Sequence, residues 1–75
     1  MNEVKEVKVE EINGHTVKKW LEGIGTTVRE ANGYIVRSWY EGIDAYEVEK
    51  DGEVLYHGWN PGDVIKIVGF DLFGW

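Results

Sequence analysis

The sequence predicts an all-β protein, an antiparallel hairpin meander of about six to eight short strands curled into a small barrel. One observation is the recurrence of a tight-turn pair every 19 residues, at Asn13-Gly14, Asn32-Gly33 and Asp51-Gly52. Such pairs between runs of β-branched and aromatic residues are typical of β-hairpins. A second observation is that apolar residues show no sustained helical spacing, which excludes a long helix. A meander must close or be covered to protect its edges, and Gly58 and Gly69 are suited to bends.

The 19-residue period divides the single predicted domain, residues 1–75, into three repeat units. These units span 7–25, 26–44 and 45–63, and a C-terminal strand occupies 64–75. Each unit is predicted to form a strand, a tight turn, a second strand and a second turn. The predicted strands lie near 4–11, 15–22, 25–31, 34–41, 44–50, 53–59 and 63–69, with a short tail strand at 70–74.

Each predicted element has its own local signal. The first strand alternates Lys, Glu and Val, and the strands that follow each tight turn are rich in β-branched and aromatic residues. The third unit carries one extra residue, Gly58, before its tryptophan. The sequence Asn60-Pro61-Gly62-Asp63 favours a type II turn, with Pro and Gly in the two central positions. This turn would begin the apolar strand 63–69.

The length of the tight turns decides which side chains face the core, because a slip of one residue exchanges the two faces of a strand. A two-residue turn places Val9 opposite Lys18, whereas a three-residue turn with a glycine bulge places it opposite Val17. The longer turn also aligns apolar pairs in the other two hairpins, so we expect it. The predicted core face then comprises Val9, Val17, Leu21, Val28, Val36, Tyr40, Tyr46, Val48, Val54 and Tyr56.

The opposite face would carry a row of tryptophans, and this row is the main candidate binding site. Its residues are Trp20, Trp39 and Trp59, flanked by Arg37 and His57. Evenly spaced aromatic side chains can stack on a ring-bearing ligand or hold a cationic one. The alternative is that the apolar tail, residues 64–75, covers the row within one chain or in a dimer partner. A monomer and an edge-paired dimer are both compatible with the sequence.

The charge is uneven and constrains the partners. The net charge is −6, which argues against nucleic acid as a ligand. An acidic stretch comprises Glu41, Asp44, Glu47, Glu49, Asp51 and Glu53. It is compatible either with a decoy for a basic protein partner or with a solvated hairpin whose charges oppose aggregation.

No catalytic, metal or cofactor motif is present in the sequence. Absence of cysteine excludes thiolate chemistry, and the Asp51-Gly52 turn lacks the ladder of acids that a calcium loop requires. No motif indicates that Ser38, His57 and an acid form a catalytic triad, although sequence alone leaves such an arrangement open. We therefore expect neither an enzyme nor a cofactor. Neither a transmembrane helix nor a secretory signal is expected, and the composition assigns no compartment.

The chain bears three resemblances to known groups of proteins. The segment from Asn60 to Gly69 resembles the turn and strand of SH3-like and OB-like small barrels, although their binding residues have no counterparts here. The spacing of Trp and Gly is similar to that of choline-binding cell-wall repeats, which carry more aromatics per unit. The ideal turns, the glycine bends and the absence of Cys and Gln resemble de novo designed small β-barrels.

The last resemblance implies a non-catalytic scaffold without natural activity, and this is the leading functional expectation from the sequence. The two alternatives are a small binding module that uses the tryptophan row and an acidic decoy that binds protein.

Overall fold

The computed structural model describes residues 6–74, which form one open antiparallel sheet and one helix. The strands follow one another in sequence order across the sheet. They are β1 (Lys8–Ile12), β2 (His15–Glu22), β3 (Thr26–Ala31), β4 (Tyr34–Tyr40), β5 (Asp44–Lys50) and β6 (Glu53–Gly58), and the helix is α1 (Pro61–Val68).

The antiparallel meander is confirmed, but the predicted barrel is wrong. Among the described residues, β1 and β6 are the two edges of the sheet and do not pair with each other. The core is shielded from water without closure of the sheet, because α1 and the residues after it cover one face. Residues 4–5 of the first predicted strand, and Trp75, lie outside the described residues.

The three tight turns contain two residues, so the predicted three-residue register is wrong. Asn13, Asn32 and Asp51 have φ of 50°, 56° and 53°, and each following glycine also has a positive φ. Two left-handed residues in succession form a type I′ turn, whose twist matches that of the flanking strands. The preference of Asn-Gly and Asp-Gly for this turn therefore outweighs the gain from placing valines directly opposite each other.

The shorter turns divide the predicted core face between the two sides of the sheet. Val9 lies opposite Lys18, and Val28 lies opposite Arg37. Val17, Val36, Tyr46 and Val48 are buried in the core, whereas Val28 is buried on the other side. Of the remaining predicted positions, Tyr56 is partly buried and packs against the core. Four positions are wrong as core residues, since Val9, Leu21, Tyr40 and Val54 are 63%, 71%, 71% and 54% exposed.

The predicted strand 63–69 is wrong, because residues 63–68 belong to α1 and Gly69 caps it. Asn60 is the N-cap, and its side-chain oxygen accepts a hydrogen bond from the Gly62 N–H at 2.9 Å. Pro61 occupies the first helical turn in place of a type II turn, where its missing N–H costs nothing. Gly69 ends the helix with φ 99° and donates its N–H to the Ile65 carbonyl at 2.8 Å. The predicted tail strand 70–74 is also wrong, since no strand forms there.

The core lies between α1, the following residues and one face of the sheet, which we call the helix face. Its buried members are Val17, Ala31, Val36, Tyr46, Val48, Val64, Val68 and Leu72. We call residues 69–74, which follow α1, the tail. The tail contacts the end of the sheet that carries the tight turns, where the His15 and Phe70 rings stack with their centroids 3.9 Å apart. No helix in the described part of the chain is long and apolar enough to cross a membrane.

We call the other side of the sheet the open face, because α1 and the tail pack against the helix face. Side chains alternate between the two faces along each strand, so the residues next to Val17, Val36 and Val48 point to the open face. The alternative in which residues 64–75 of the same chain cover the tryptophans is therefore wrong, because the described residues of this segment pack on the other side of the sheet. Val28 and Ala45 are nevertheless buried on the open face.

Candidate functional site

A continuous row of residues crosses the centre of the open face from β2 to β6. Successive cross-strand partners in this row are Trp20, Val28, Arg37, Glu47 and His57. Three of the five predicted site residues, Trp20, Arg37 and His57, are thus aligned by strand register. Val28 is fully buried at the level of the sheet, so the row has an apolar floor between Trp20 and Arg37.

Arg37 is the electrostatic centre of the open face. Its Nε lies 3.0 Å from Glu22 Oε1, and one terminal nitrogen lies 3.3 Å from Glu47 Oε1 and 2.8 Å from Glu49 Oε1. The hydrogen bond to Glu49 is the largest of the effects that raise the pKa of Arg37. One guanidinium therefore meets three carboxylates, which leaves this cluster with excess negative charge.

The tryptophans are distributed differently from the predicted row of three. Trp39 lies on the open face opposite Ala45, and its ring centroid is 5.8 Å from that of His57. Its indole N–H donates to Glu41 Oε2 at 3.1 Å. Trp20 is half-buried two strands away, about 10 Å across the sheet. Trp59 follows β6 in the turn before α1 and is 67% exposed.

The acidic stretch is divided by the hairpin that contains it. Glu47 and Glu49 are on the open face, where they bind Arg37. Asp51 and Glu53 are exposed at the tight turn between β5 and β6. The six acids consequently form no single patch, and only Glu47 and Glu49 contribute to the centre of the open face.

Ser38 and His57 are on opposite faces of the sheet. Ser38 lies between Thr27 and Tyr46 in the cross-strand register, on the helix face, whereas His57 pairs with Glu47 on the open face. The arrangement of Ser38, His57 and an acid that sequence alone leaves open is therefore not formed. Within residues 6–74, no group of three His, Asp or Glu side chains is placed to hold a metal ion.

Sequence reasoning missed a cleft on the helix face, at the end of the sheet away from the tight turns. It has a volume of about 280 Å³, and Thr27, Arg29, Ser38, Tyr46 and Phe73 are among its lining residues. A signal was present in the sequence. Thr27 and Arg29 alternate with Val28 in the predicted strand 25–31, and Ser38 follows Arg37 in the predicted strand 34–41. These three polar residues therefore point to the same side of the sheet as Ala31 and Val36, which belong to the core.

Two surfaces are thus candidates for binding, the acidic and aromatic centre of the open face and the polar cleft on the helix face. The first presents carboxylates beside indole rings, which together attract cations. The second combines a guanidinium with hydroxyl groups. Comparison of the chain with family models, with curated proteins and with solved structures finds no match.

Proposed function

We propose that the protein is a non-catalytic binding module whose open face holds a lysine- or arginine-rich segment of another protein. The observation that carries this proposal is the cluster around Arg37, where one cation faces Glu22, Glu47 and Glu49 within 3.3 Å. The carboxylates outnumber the guanidinium, so an additional cation at this place is attracted.

The aromatic residues beside the cluster support the same type of ligand. Trp39 and Trp20 are half-buried on the open face and flank Arg37. The face of an indole ring attracts ammonium and guanidinium groups by about 0.5–1 kcal/mol at exposed sites and more where water is excluded. A basic side chain near Trp39 would thus interact with both a ring and a carboxylate.

Long-range electrostatics favour the same partner. The net charge of −6 attracts a basic segment at a distance and accelerates its association. On the open face, the carboxylates of Glu22, Glu30, Glu47 and Glu49 outnumber the cations of Lys18 and Arg37. The face thus has the charge that a basic segment requires.

The test is calorimetric titration with an oligolysine peptide, capped at both ends, for the parent protein and for two double variants. Glu47→Gln with Glu49→Gln removes the two strand carboxylates but preserves hydrogen-bonding side chains for Arg37. Asp51→Asn with Glu53→Gln makes the same change in net charge at the turn and retains an Asn-Gly type I′ turn. We expect the strand variant to lose about tenfold in affinity, while the turn variant stays within about twofold.

The other outcomes contradict the proposal in different ways. Equal weakening by both double variants would indicate that net charge alone attracts the peptide, as expected for an acidic decoy. Absence of binding at low ionic strength would favour the non-catalytic scaffold without a ligand.

A further inference from the structure

The cleft on the helix face contains a cation without a carboxylate partner. Arg29 is half-buried on β3 and, unlike Arg37, forms no ion pair with any other of residues 6–74. Every ion pair found within residues 6–74 belongs to Arg37. Arg29 instead donates one hydrogen bond to Ser38 Oγ at 3.2 Å, and its Cζ lies 4.9 Å above the centroid of the Phe73 ring.

Burial makes this charge costly for the protein. Desolvation is the largest effect on the pKa of Arg29 and lowers it, while Coulombic attraction from Tyr46, once its phenol has ionised, and from Glu10 opposes the shift. A guanidinium carries five N–H donors, and the contact with Ser38 uses one of them. The remaining donors can hold an oxyanion in the two-pronged geometry that arginine forms with carboxylates.

Hydroxyl groups line the floor of the cleft next to Arg29. Thr27, Ser38 and Tyr46 are direct cross-strand partners on β3, β4 and β5, and all three line the cleft. Ser38 Oγ accepts the hydrogen bond from Arg29, which leaves its own O–H to donate. Burial raises the pKa of Tyr46, so its phenol is protonated at neutral pH and is also a donor.

Two lysines extend this positive region away from the cleft. Lys8, Lys19 and Arg29 are successive cross-strand partners on β1, β2 and β3. Like charges directly opposite each other destabilise a sheet, and these three remain adjacent in a chain whose net charge is −6. An anion bound at Arg29 would reduce that repulsion.

The rest of the lining favours a monoanion that carries a ring. Asp44 also lines the cleft, and its charge disfavours a doubly charged phosphate. Tyr40 and Phe73 contribute ring surfaces, and a volume of about 280 Å³ suits a small molecule. We propose that the cleft binds a small ring-bearing monocarboxylate, with its carboxylate on Arg29 and Ser38 and its ring against the aromatic side chains.

The test uses benzoate, with benzamide as the neutral molecule of the same shape and inorganic phosphate as the alternative anion. Titration is followed by backbone amide chemical shifts in the parent protein, so the result does not depend on any variant. We expect benzoate to shift the amides of Thr27, Arg29 and Ser38 in a saturable manner. We expect benzamide and phosphate to bind at least about tenfold more weakly.

A pair of variants then tests the role of Arg29 itself. Arg29→Gln should weaken benzoate binding about tenfold, whereas Lys19→Gln, with the same change in charge on the neighbouring strand, should change it less than about threefold. Thermal unfolding of both variants checks that the fold is retained. Any of four results would overturn the proposal. Benzamide could bind as tightly as benzoate, or phosphate could bind more tightly. The chemical shift changes could be confined to another surface, or the parent protein could show no saturable change.

Discussion

Tyr46 is the buried residue whose environment has the clearest effect on an ionisable group. It is 5% exposed, and its ring meets the Phe73 ring edge to face at a centroid distance of 5.5 Å. Burial is the largest cause of its raised pKa, the charge of Asp44 raises it further, and Arg29 lowers it. The folded protein therefore holds the phenol in its neutral form more firmly than the unfolded chain does.

This shift has a defined effect on stability at high pH. The unfolded chain loses the Tyr46 proton near the ordinary tyrosine pKa of about 10, while the folded protein retains it to a higher pH. The free energy of unfolding should thus be unaffected below about pH 10 and should fall as the pH rises from there through the folded pKa. Urea unfolding of the parent protein and of Tyr46→Phe at pH 7 to 11 measures the difference.

The other tyrosines are present in both proteins and supply the common background. The parent protein should lose more stability than Tyr46→Phe between pH 10 and pH 11. Parallel losses in the two proteins would show that Tyr46 is not the source of the pH dependence.

The tight turns join neighbouring strands and also hold the end of the helix. The Asn32 side chain donates its amide N–H to the Val68 carbonyl at 2.9 Å, and the Asn13 amide donates to the Asp71 carbonyl at 2.9 Å. The last carbonyls of a helix have no partner within it, so the turn between β3 and β4 supplies one. The third turn has Asp51 at the equivalent position, and a carboxylate cannot donate this hydrogen bond.

The contribution of this contact can be separated from that of the turn. Asn32→Gly retains a residue that adopts the left-handed conformation but removes the amide, and Asp51→Gly makes the matching change in a turn without the helix contact. We expect Asn32→Gly to lower the free energy of unfolding by about 1 kcal/mol more than Asp51→Gly does. Equal effects in urea unfolding would assign the loss to the turn conformation and not to the hydrogen bond.

Strand positions are predictable from this sequence because each strand lies between strong turn signals. Strands β2 to β6 begin and end within one residue of the predicted limits, whereas β1 begins at Lys8, so the predicted strand 4–11 is wrong at residues 6–7. Trp20 and Trp39 are on the opposite side from Val17 and Val36, as predicted. Register is harder to predict, since it depends on a competition between turn twist and apolar pairing. The helix was missed because Val and Ile in 64–68 favour strands, while the caps at Asn60 and Gly69 favour a helix.

For the candidate sites, too, local sequence patterns predict some features, whereas other features depend on contacts between residues distant in the sequence. Alternation within β4 was enough to place Arg37 and Trp39 on the face away from Val36. The carboxylates of Glu22 and Glu49 reach Arg37 from β2 and β5, and that grouping depends on the correct register. Alternation could place the polar lining residues of the cleft on one face of the sheet, but the cleft itself could not be predicted, because Phe73, beyond the helix, forms part of its lining.

At the scale of the whole molecule, the core is one layer of side chains between a single face of the sheet and the segment that begins with α1. In the described part of the chain, one helix and the short segment after it cover part of the helix face of the six-stranded sheet. Leu72 lies beyond the helix and is fully buried, whereas Leu21 on β2 is 71% exposed. The tail therefore contributes directly to the core and does not simply follow the last element.

Two leucine substitutions measure this contribution. Leu72→Ala should lower the free energy of unfolding by about 2–5 kcal/mol because it leaves a cavity between the tail and the sheet. Leu21→Ala removes the same atoms from an exposed position and should stay within about 0.5 kcal/mol. Chemical unfolding monitored by circular dichroism provides both values. A small loss for Leu72→Ala would show that the tail is dispensable for the core.

The order of the elements along the chain has a consequence for synthesis on the ribosome. Each strand pairs with the strand made just before it, so hairpins can form in succession as the chain emerges. Val64, Val68 and Leu72, which complete the core, follow all six strands in the sequence. The nascent sheet must consequently leave the apolar side chains of its helix face in water until α1 and the residues after it have been synthesised, so a pause in translation before α1 would expose an aggregation-prone surface.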